Sequence, residues 1–441
     1  MRKVILFGIV MAMSLGLVAC ASKGNEAEVK EAVEALAQEE EETKEELEEA
    51  AESVEEAKEE LEEIEADVEE AAKATEEATE EEEKMEEIVY TQEELEKMNA
   101  VEFAAVMRAG WNLGNTLDAT DGKGLDSETS WFQPKTTQEL ISYVKEVGFT
   151  SIRIPVSWGN HVDENYQIDP EWMDRVKEVV DYAYNENMYV IINSHHDNDF
   201  YYPSEENLVN GKKYIATIWE QIAEEFKDYD NHLVFESMNE PRLAGTDIEW
   251  WFAMADPEGK AAIGRICELN QVFVDTVRAA GGNNPVRFIM VPSYAANPDF
   301  ALNSSFSMPE DPAGDKLMLS VHAYTPYDFA GNANGYSDWD GSKNHEFNFM
   351  GKLKAMFVNE GYGVVIGEFG ATNKGNDEDR VRWAKGYCQK AGSFGMSYFV
   401  WDNGATGVGE ENFGVIDRTN LKLYFPEVFD AYMSGFDYYK P

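Results

Sequence analysis

Cysteine is scarce: the 441 residues hold three, at positions 20, 267 and 388. So few cannot build the disulfide framework of a small secreted scaffold. None has Cys or His neighbours at the ligand spacing that structural zinc needs. Cys267 and Cys388 fall in segments of helical periodicity three units apart in the repeat described below, so both are expected as unpaired core thiols. Basic residues are also few, with 36 Lys and Arg against 86 Asp and Glu and a formal charge of -50. A field of that sign repels phosphate backbones and anionic lipid, which excludes nucleic acid as a partner. Histidine occurs only 6 times. What is abundant is apolar and aromatic: 43% hydrophobic residues and 12% aromatic, with 10 Trp and 21 Tyr. That is too rich for a wholly disordered chain and ample for a large core.

The acidity is unevenly spread. Residues 21–90 carry 31 acids and 6 bases, so half of the excess charge sits on about a sixth of the chain. From Val29 to Met85 the sequence is almost all Glu, Ala and Lys, with Leu47, Val54, Leu61 and Val68 spaced in sevens. Alanine fills most of the second seam and buries little area, so a single fluctuating helix, a disordered tether and a coiled coil all stay open. Each makes residues 20–90 a spacer without a catalytic role. Ahead of it, Met1-Arg2-Lys3 and the apolar run Val4 to Val18 form an export signal too short to span a bilayer comfortably. Leu17-Val18-Ala19-Cys20 resembles the bacterial lipoprotein cleavage box. That resemblance implies removal of residues 1–19 and lipidation of Cys20 by more than one acyl chain, because one chain gives only marginal affinity. The expectation is an exported protein anchored at the cell surface by lipid alone, or secreted if cleavage occurs without lipidation.

Residues 91–441 read differently. Apolar, β-rich runs recur at Gly110 to Leu113, Ser151 to Val156, Tyr189 to Asn193, Leu233 to Ser237, Arg287 to Val291, Leu317 to Val321, Val364 to Ile366 and Ser397 to Trp401. They lie roughly 41 residues apart, which suits a strand, a returning helix and a loop. Between them stand amphipathic segments such as Trp172, Met173, Val176, Val179, Val180 and Ala183. Thr136 with Glu139 reads as a capping box, and Asp169-Pro170 as a cap followed by proline at the first helical position. Eight such units predict a (β/α)8 TIM barrel of the α/β class. An open doubly wound sheet is the alternative, but Gly110-Trp111-Asn112-Leu113-Gly114-Asn115 is not the phosphate-binding loop it would carry.

In such a barrel the carboxyl ends of the strands surround the active site. Polar residues gather there: Asn115 and Asp118 after the first run, Arg153 in the second, His195-His196-Asp197 after the third and Asn239-Glu240 after the fourth. His322 and Tyr324 follow the sixth, Glu368 the seventh, and Trp401 ends the eighth. A metal at His195, His196 and Asp197 is disfavoured, because adjacent strand residues point to opposite faces. No cofactor is expected. Glu240 and Glu368 come from opposite sides of the barrel and would face each other across its mouth, as a glycosidase requires. Arg153 beside Glu368 would favour its charged form, while Glu240, next to Asn239 and aromatic surface, would hold its proton longer.

From about residue 100 to 437 the sequence resembles glycoside hydrolase family five, in its bacterial branch of broad-specificity endo-β-1,4-glucanases. The resemblance is carried by Gly110-Trp111-Asn112-Leu113-Gly114-Asn115, Ile152-Arg153-Ile154-Pro155-Val156-Ser157-Trp158, Ser194-His195-His196, Phe235-Glu236-Ser237-Met238-Asn239-Glu240-Pro241, Val321-His322-Ala323-Tyr324 and Ile366-Gly367-Glu368-Phe369-Gly370. It implies Glu240 as acid/base, Glu368 as nucleophile and Asn239 on the sugar 2-hydroxyl. It also implies Tyr324 and Arg153 against Glu368, and His322 beside Glu240. His195, His196, Asn115 and Asp118 would line the glycone subsites, with Trp401 as floor. Trp131, Trp250, Trp251 and Trp339 are further stacking candidates, each as readily explained by core packing. Asn193-Ser194 departs from the more apolar pair common before the histidines. The implied activity is retaining hydrolysis of cellulose-like, mixed-linkage or xyloglucan β-glucan by a monomer. The alternatives are a β-mannanase or xylanase on the same scaffold, or a surface glycan-binding lipoprotein that does not cut.

Overall fold

Eight parallel strands pair in sequential order and close into a barrel, the last returning to the first. They are β1 (Ala109–Asn112), β2 (Ser151–Ile154), β3 (Tyr189–Asn193), β4 (Leu233–Glu236), β5 (Ile289–Pro292), β6 (Leu317–His322), β7 (Gly363–Phe369) and β8 (Ser397–Val400). This computed structural model describes Lys30 and residues 89–436. The export signal, Cys20 and nearly all of the spacer lie outside the described residues. The chain divides after Ile88, and the barrel belongs to the second unit. The expected α/β TIM barrel is the observed fold.

Every residue of the eight strands is buried, the pattern of a parallel sheet covered on both faces. One face packs on surrounding helices such as Pro170–Tyr184 and Leu208–Glu225, whose apolar stripes include Trp172, Val176, Val180, Ile218 and Ile222. The other face fills the barrel with Ile191, Val234, Met290, Met318, Val365 and Phe399. Gly110 is required there, since a Cβ would stand 2.1 Å from the Phe399 ring. Two helices that the periodicity did not reveal, α1 (Gln92–Lys97) and α2 (Ala100–Met107), contribute Leu95, Phe103 and Met107 to this inner cluster. Phe103 stacks on Phe288 with ring centroids 3.8 Å apart.

Boundaries differ from the sequence reading in two instructive places. Arg287 does not begin β5. Its buried guanidinium donates to the carbonyls of Phe226, Tyr229, Asp230 and Leu233, gathering the ends of a helix and a loop below the strand. The helix Gln138–Glu146 is capped by Thr137, whose hydroxyl accepts from Leu140 N, and not by Thr136. Thr136 instead donates its backbone N–H to the buried Glu128. Asp169 caps the following helix as expected, accepting from Glu171 N with Pro170 in the first turn. Cys267 and Cys388 are free thiols.

Candidate active site

At the carboxyl-end rim a single buried cation organises four strands. Arg153 on β2 donates from Nε to Glu236 on β4 at 2.7 Å and from Nη1 to Glu368 on β7 at 2.7 Å. Nη1 also reaches Asn112 Oδ1 on β1 at 2.9 Å, and Nη2 reaches Asn239 Oδ1 at 2.8 Å. Burial pulls the Arg153 pKa down, but the charges of Glu236 and Glu368 hold it above its ordinary value. Glu236 is wholly buried and takes its second hydrogen bond from Ser320 Oγ on β6 at 2.5 Å. The register of β6 against β7 slips after Val321, pairing His322 with Glu368, and that of β7 against β8 shifts between Ile366 and Phe369. Such irregularities re-aim side chains next to functional sites.

The two carboxylates singled out from the sequence come together here. One ligand atom each from Glu240, His322 and Glu368 lie within 4.8 Å of one another. Glu368 accepts from Arg153 on one oxygen and from Tyr324 OH at 3.0 Å on the other. His322 Nδ1 stands 2.8 Å from Glu240 Oε1 and 3.6 Å from Glu368 Oε1, bridging the pair. Its other nitrogen stands 3.4 Å from Arg153 Nη2, and although burial lowers the His322 pKa, the neighbouring Glu368 and Glu240 hold it above its ordinary value.

One electrostatic expectation fails. Burial raises the Glu240 pKa, but the His322 hydrogen bond, the His322 charge, Arg242 and His196 outweigh it, and the carboxyl lies below its usual range. The amide and aromatic surroundings read from the sequence are not its deciding neighbours. Arg242, two residues on, donates to the Glu240 carbonyl at 3.0 Å and stands 3.6 Å from Glu240 Oε2.

The remaining residues are distributed around this pair. His195 and His196 lie past the end of β3, so strand alternation does not govern them, and their ring centroids are 4.4 Å apart. His195 Nδ1 accepts from the Asn193 amide at 3.0 Å and its ring lies parallel to Trp401 at 5.8 Å. Asn193, the departure noted in the sequence, thus orients a histidine. His196 Nε2 is 3.6 Å from Asp118 and its ring 5.4 Å from Trp131. Asp118, His195 and His196 could together offer three ligand atoms to a metal, although the Asp118 oxygens already accept from Asn115 N and Thr116 N. Asp197 serves the scaffold, accepting from Trp158 N and Gly159 N. Asn115 has a left-handed backbone, φ 59°, at the turn after β1.

Trp401 is set by residues that sequence reasoning passed over. Buried Asp402 accepts from Trp111 Nε1, Val415 N and Ile416 N, and Arg418 bridges the carbonyls of Gly114 and Asp402. Gly114 lets the ring approach, since a Cβ would meet it at 2.8 Å. Of the stacking candidates, Trp339 is fully buried against Phe329 and Phe347 and is a core residue. Trp250 and Trp251 remain half exposed. Glu236 stands inside a quoted motif, Arg242 directly after it and Arg418 apart from any, and nothing in the sequence announced their partners.

A (β/α)8 barrel that brings two carboxylates to one rim, each held by its own hydrogen-bonding neighbours, has the construction of a glycosidase. The family model for cellulase (glycosyl hydrolase family 5) matches residues 117–407. Endoglucanase A of Ruminococcus albus is 44% identical over 348 residues, covering 77% of this chain and 93% of that protein. A glycoside hydrolase 5 lichenase from Caldicellulosiruptor sp. F32, solved with cellotetraose, is 45% identical with a TM-score of 0.74, over 76% of this chain and 95% of that one. A GH5-4 broad-specificity endoglucanase from Ruminococcus champanellensis with bound cellotriose is 40% identical, TM-score 0.73, over 76% and 98%. The chain belongs to glycosyl hydrolase family 5 and is a glycoside hydrolase of the cellulase type.

Proposed function

We propose that the chain is a retaining endo-β-1,4-glucanase acting by double displacement on cellulose-like, mixed-linkage and xyloglucan β-glucans. The observation that carries this reading is the placing of Glu240 and Glu368 atoms within 4.8 Å of each other, with His322 between them. Retaining enzymes hold their two carboxyl groups about 5–5.5 Å apart, whereas inverting ones leave room for a water at about 6.5–9.5 Å. Glu368, fixed by Arg153 and Tyr324, attacks the anomeric carbon. Glu240 protonates the leaving oxygen and then deprotonates the water that releases the sugar. Asn239 gives its carbonyl oxygen to Arg153, which leaves its N–H groups for the sugar 2-hydroxyl. Trp401 and His195 floor the glycone side, with His196, Asn115 and Asp118 further out. The broad substrate range is supported by relatives named as a lichenase and as broad-specificity endoglucanases.

Proton NMR of early hydrolysis of cellotetraose tests the mechanism: the β-anomer of the new reducing end should appear first, and the α-anomer first would overturn it. A panel of soluble polysaccharides tests the substrate, and hydrolysis of mannan or xylan without any β-glucan hydrolysis would overturn that part. We further propose export, lipidation at Cys20 and attachment to the cell surface through the acidic spacer, with the enzyme acting as a monomer. Metabolic labelling with a tagged fatty acid should then mark the native chain and not Cys20→Ala, and a native chain that takes up no label would refute the anchor.

A further inference from the structure

His195 is pinned by its backbone, its N–H donating to the Val156 carbonyl at 2.8 Å and its carbonyl accepting from Tyr201 OH at 2.9 Å. The ring is held by Asn193, the last residue of β3, whose own carbonyl accepts from Trp158 Nε1 at 2.8 Å. The Val156 N–H, which can only donate, meets Asn193 Oδ1 at 3.1 Å, and this settles which end of the amide is oxygen. The amide nitrogen therefore faces His195 Nδ1, at 3.0 Å. An amide nitrogen only donates, so Nδ1 must accept, and a ring nitrogen that accepts carries no proton. The ring proton is thus on Nε2. An imidazolium would set two N–H groups against each other. Burial, followed by the charges of His196, Arg153, His322 and Arg242, also holds the His195 pKa well below its ordinary value and keeps the ring neutral. Nε2 has no acceptor among the described residues, yet it is not closed off from solvent as the orphaned Nε2 of His161 is.

Close by stands an acceptor. Asp118, His195 and His196 offer one atom each within 4.8 Å of one another, and an oxygen set among three such atoms can stand within about 2.8 Å of each, the length of a hydrogen bond. Asp118 accepts from Asn115 N and Thr116 N, and as a carboxylate it has lone pairs left but no proton to give. A sugar hydroxyl has one proton. Between two acceptors it satisfies one and leaves the other bare, whereas between a donor and an acceptor it satisfies both. We propose that Asn193 is a positioning residue of the glycone side, holding the His195 proton on Nε2 so that His195 donates to a sugar hydroxyl whose own proton goes to Asp118. The proposal rests on the reading of His195 and Asp118 as sugar contacts. The same assignment makes His195 a poor metal ligand, since the nitrogen that Asn193 does not hold carries a proton in place of a lone pair.

The test joins a spectrum to a kinetic cycle. Nitrogen-15 labelling of the 6 histidines gives few side-chain signals, and those of His195 are identified by their absence in His195→Gln. Their long-range coupling pattern should report an Nε2–H tautomer, unchanged from about pH 5 to about pH 8. A proton on Nδ1, or an imidazolium in that range, would overturn the assignment. Asn193→Asp keeps an acceptor for Val156 N but sets a second acceptor against His195, so above the pH at which the variant's ring titrates the proton should move to Nδ1. At that pH kcat/KM for cellotetraose should fall about tenfold, the scale of one lost hydrogen bond. His195→Gln should also lower kcat/KM, and Asn193→Asp added to it should lower it no further. A field of the new carboxylate on Glu240 and Glu368, or a merely structural role for Asn193, would act in both backgrounds. Losses that multiply would therefore overturn the positioning role, as would a proton moved to Nδ1 with the rate intact. His195→Gln working at the wild-type rate would overturn the reading of His195 as a sugar contact, and the proposal with it, while the spectrum still reports the tautomer that Asn193 imposes.

Discussion

Glu236 carries no expected chemistry, yet its removal should be among the most damaging changes in the barrel. Its side chain is wholly buried, one oxygen taking the Arg153 Nε–H at 2.7 Å and the other the Ser320 hydroxyl. Glu236→Ala leaves Arg153 without half of its ionic partnership at a site closed to water, a change that costs about 3–5 kcal/mol. Roughly 350 residues at about 2.1 cal/mol/K each give an unfolding entropy near 0.7 kcal/mol/K, so the melting temperature should fall by about 4–7 °C. Glu236→Gln can keep both hydrogen bonds, its carbonyl accepting from Arg153 while its amide donates to Ser320 Oγ, and loses only the charge. Charge-assisted bonds are roughly twice as strong as neutral ones, so about 1–2 kcal/mol and 1–3 °C are expected. Ser320→Ala removes one donor to a carboxylate, about 1.5–3 kcal/mol or 2–4 °C. Because Arg153 also holds Glu368 and Asn239, kcat should fall by at least about tenfold in Glu236→Ala and less in the other two. Calorimetry or circular-dichroism melting with parallel kinetics on one soluble glucan measures all three. Glu236→Ala melting within a degree of wild type, or indistinguishable from Glu236→Gln, would refute the account of Arg153 as a cation neutralised and oriented by this residue.

A second perturbation concerns pH and stability. His161 stacks on Trp172 at 3.6 Å with its Nε2 buried and unpartnered, and burial, opposed by Asp169, pushes its pKa down from 6.5 to about 4. The folded state therefore binds fewer protons than the unfolded one between those values, so this stabilising contribution is complete above pH 6.5 and fades as pH falls toward 4. His161→Phe should flatten the loss of melting temperature over that interval, and an unchanged slope would show that His161 does not titrate on unfolding. Glu368→Gln should reduce turnover by several orders of magnitude while calorimetry still detects cello-oligosaccharide binding; retained turnover would remove Glu368 from the nucleophile's role. Chelation with EDTA should leave the rate unchanged. A rate lost to the chelator and restored by a divalent cation would reassign Asp118, His195 and His196 from sugar contact to metal binding.

The barrel was legible because its signal is repeated. Eight buried strands read as apolar runs for a physical reason: helices and the inner core cover both faces, so no polar alternation survives to confuse them. Rim residues were legible by position, as the polar group that follows each run. Boundaries were less so. Glu368 and His322 proved to be within β7 and β6, carried inward by slips in register that no single sequence displays. The α1 and α2 helices were missed because their buried residues plug the barrel interior rather than forming a stripe against a neighbouring helix.

What stayed hidden were partners rather than residues. Arg153 was identified, but an arginine inside the barrel has to be neutralised there, and counting its anions would have pointed to a second carboxylate besides Glu368. Glu236, an acid in the interior of an apolar run, is the one residue of Phe235-Glu236-Ser237 that could supply it. The same reasoning applies to Glu240. Its environment was read from its sequence neighbours, whereas its proton affinity is set by His322 from β6 and Arg242 from its own loop. With the His322 hydrogen bond and the Arg242 charge favouring its ionised form, the proposed acid role of Glu240 requires that a bound sugar raise its proton affinity, as the further desolvation of a carboxyl does.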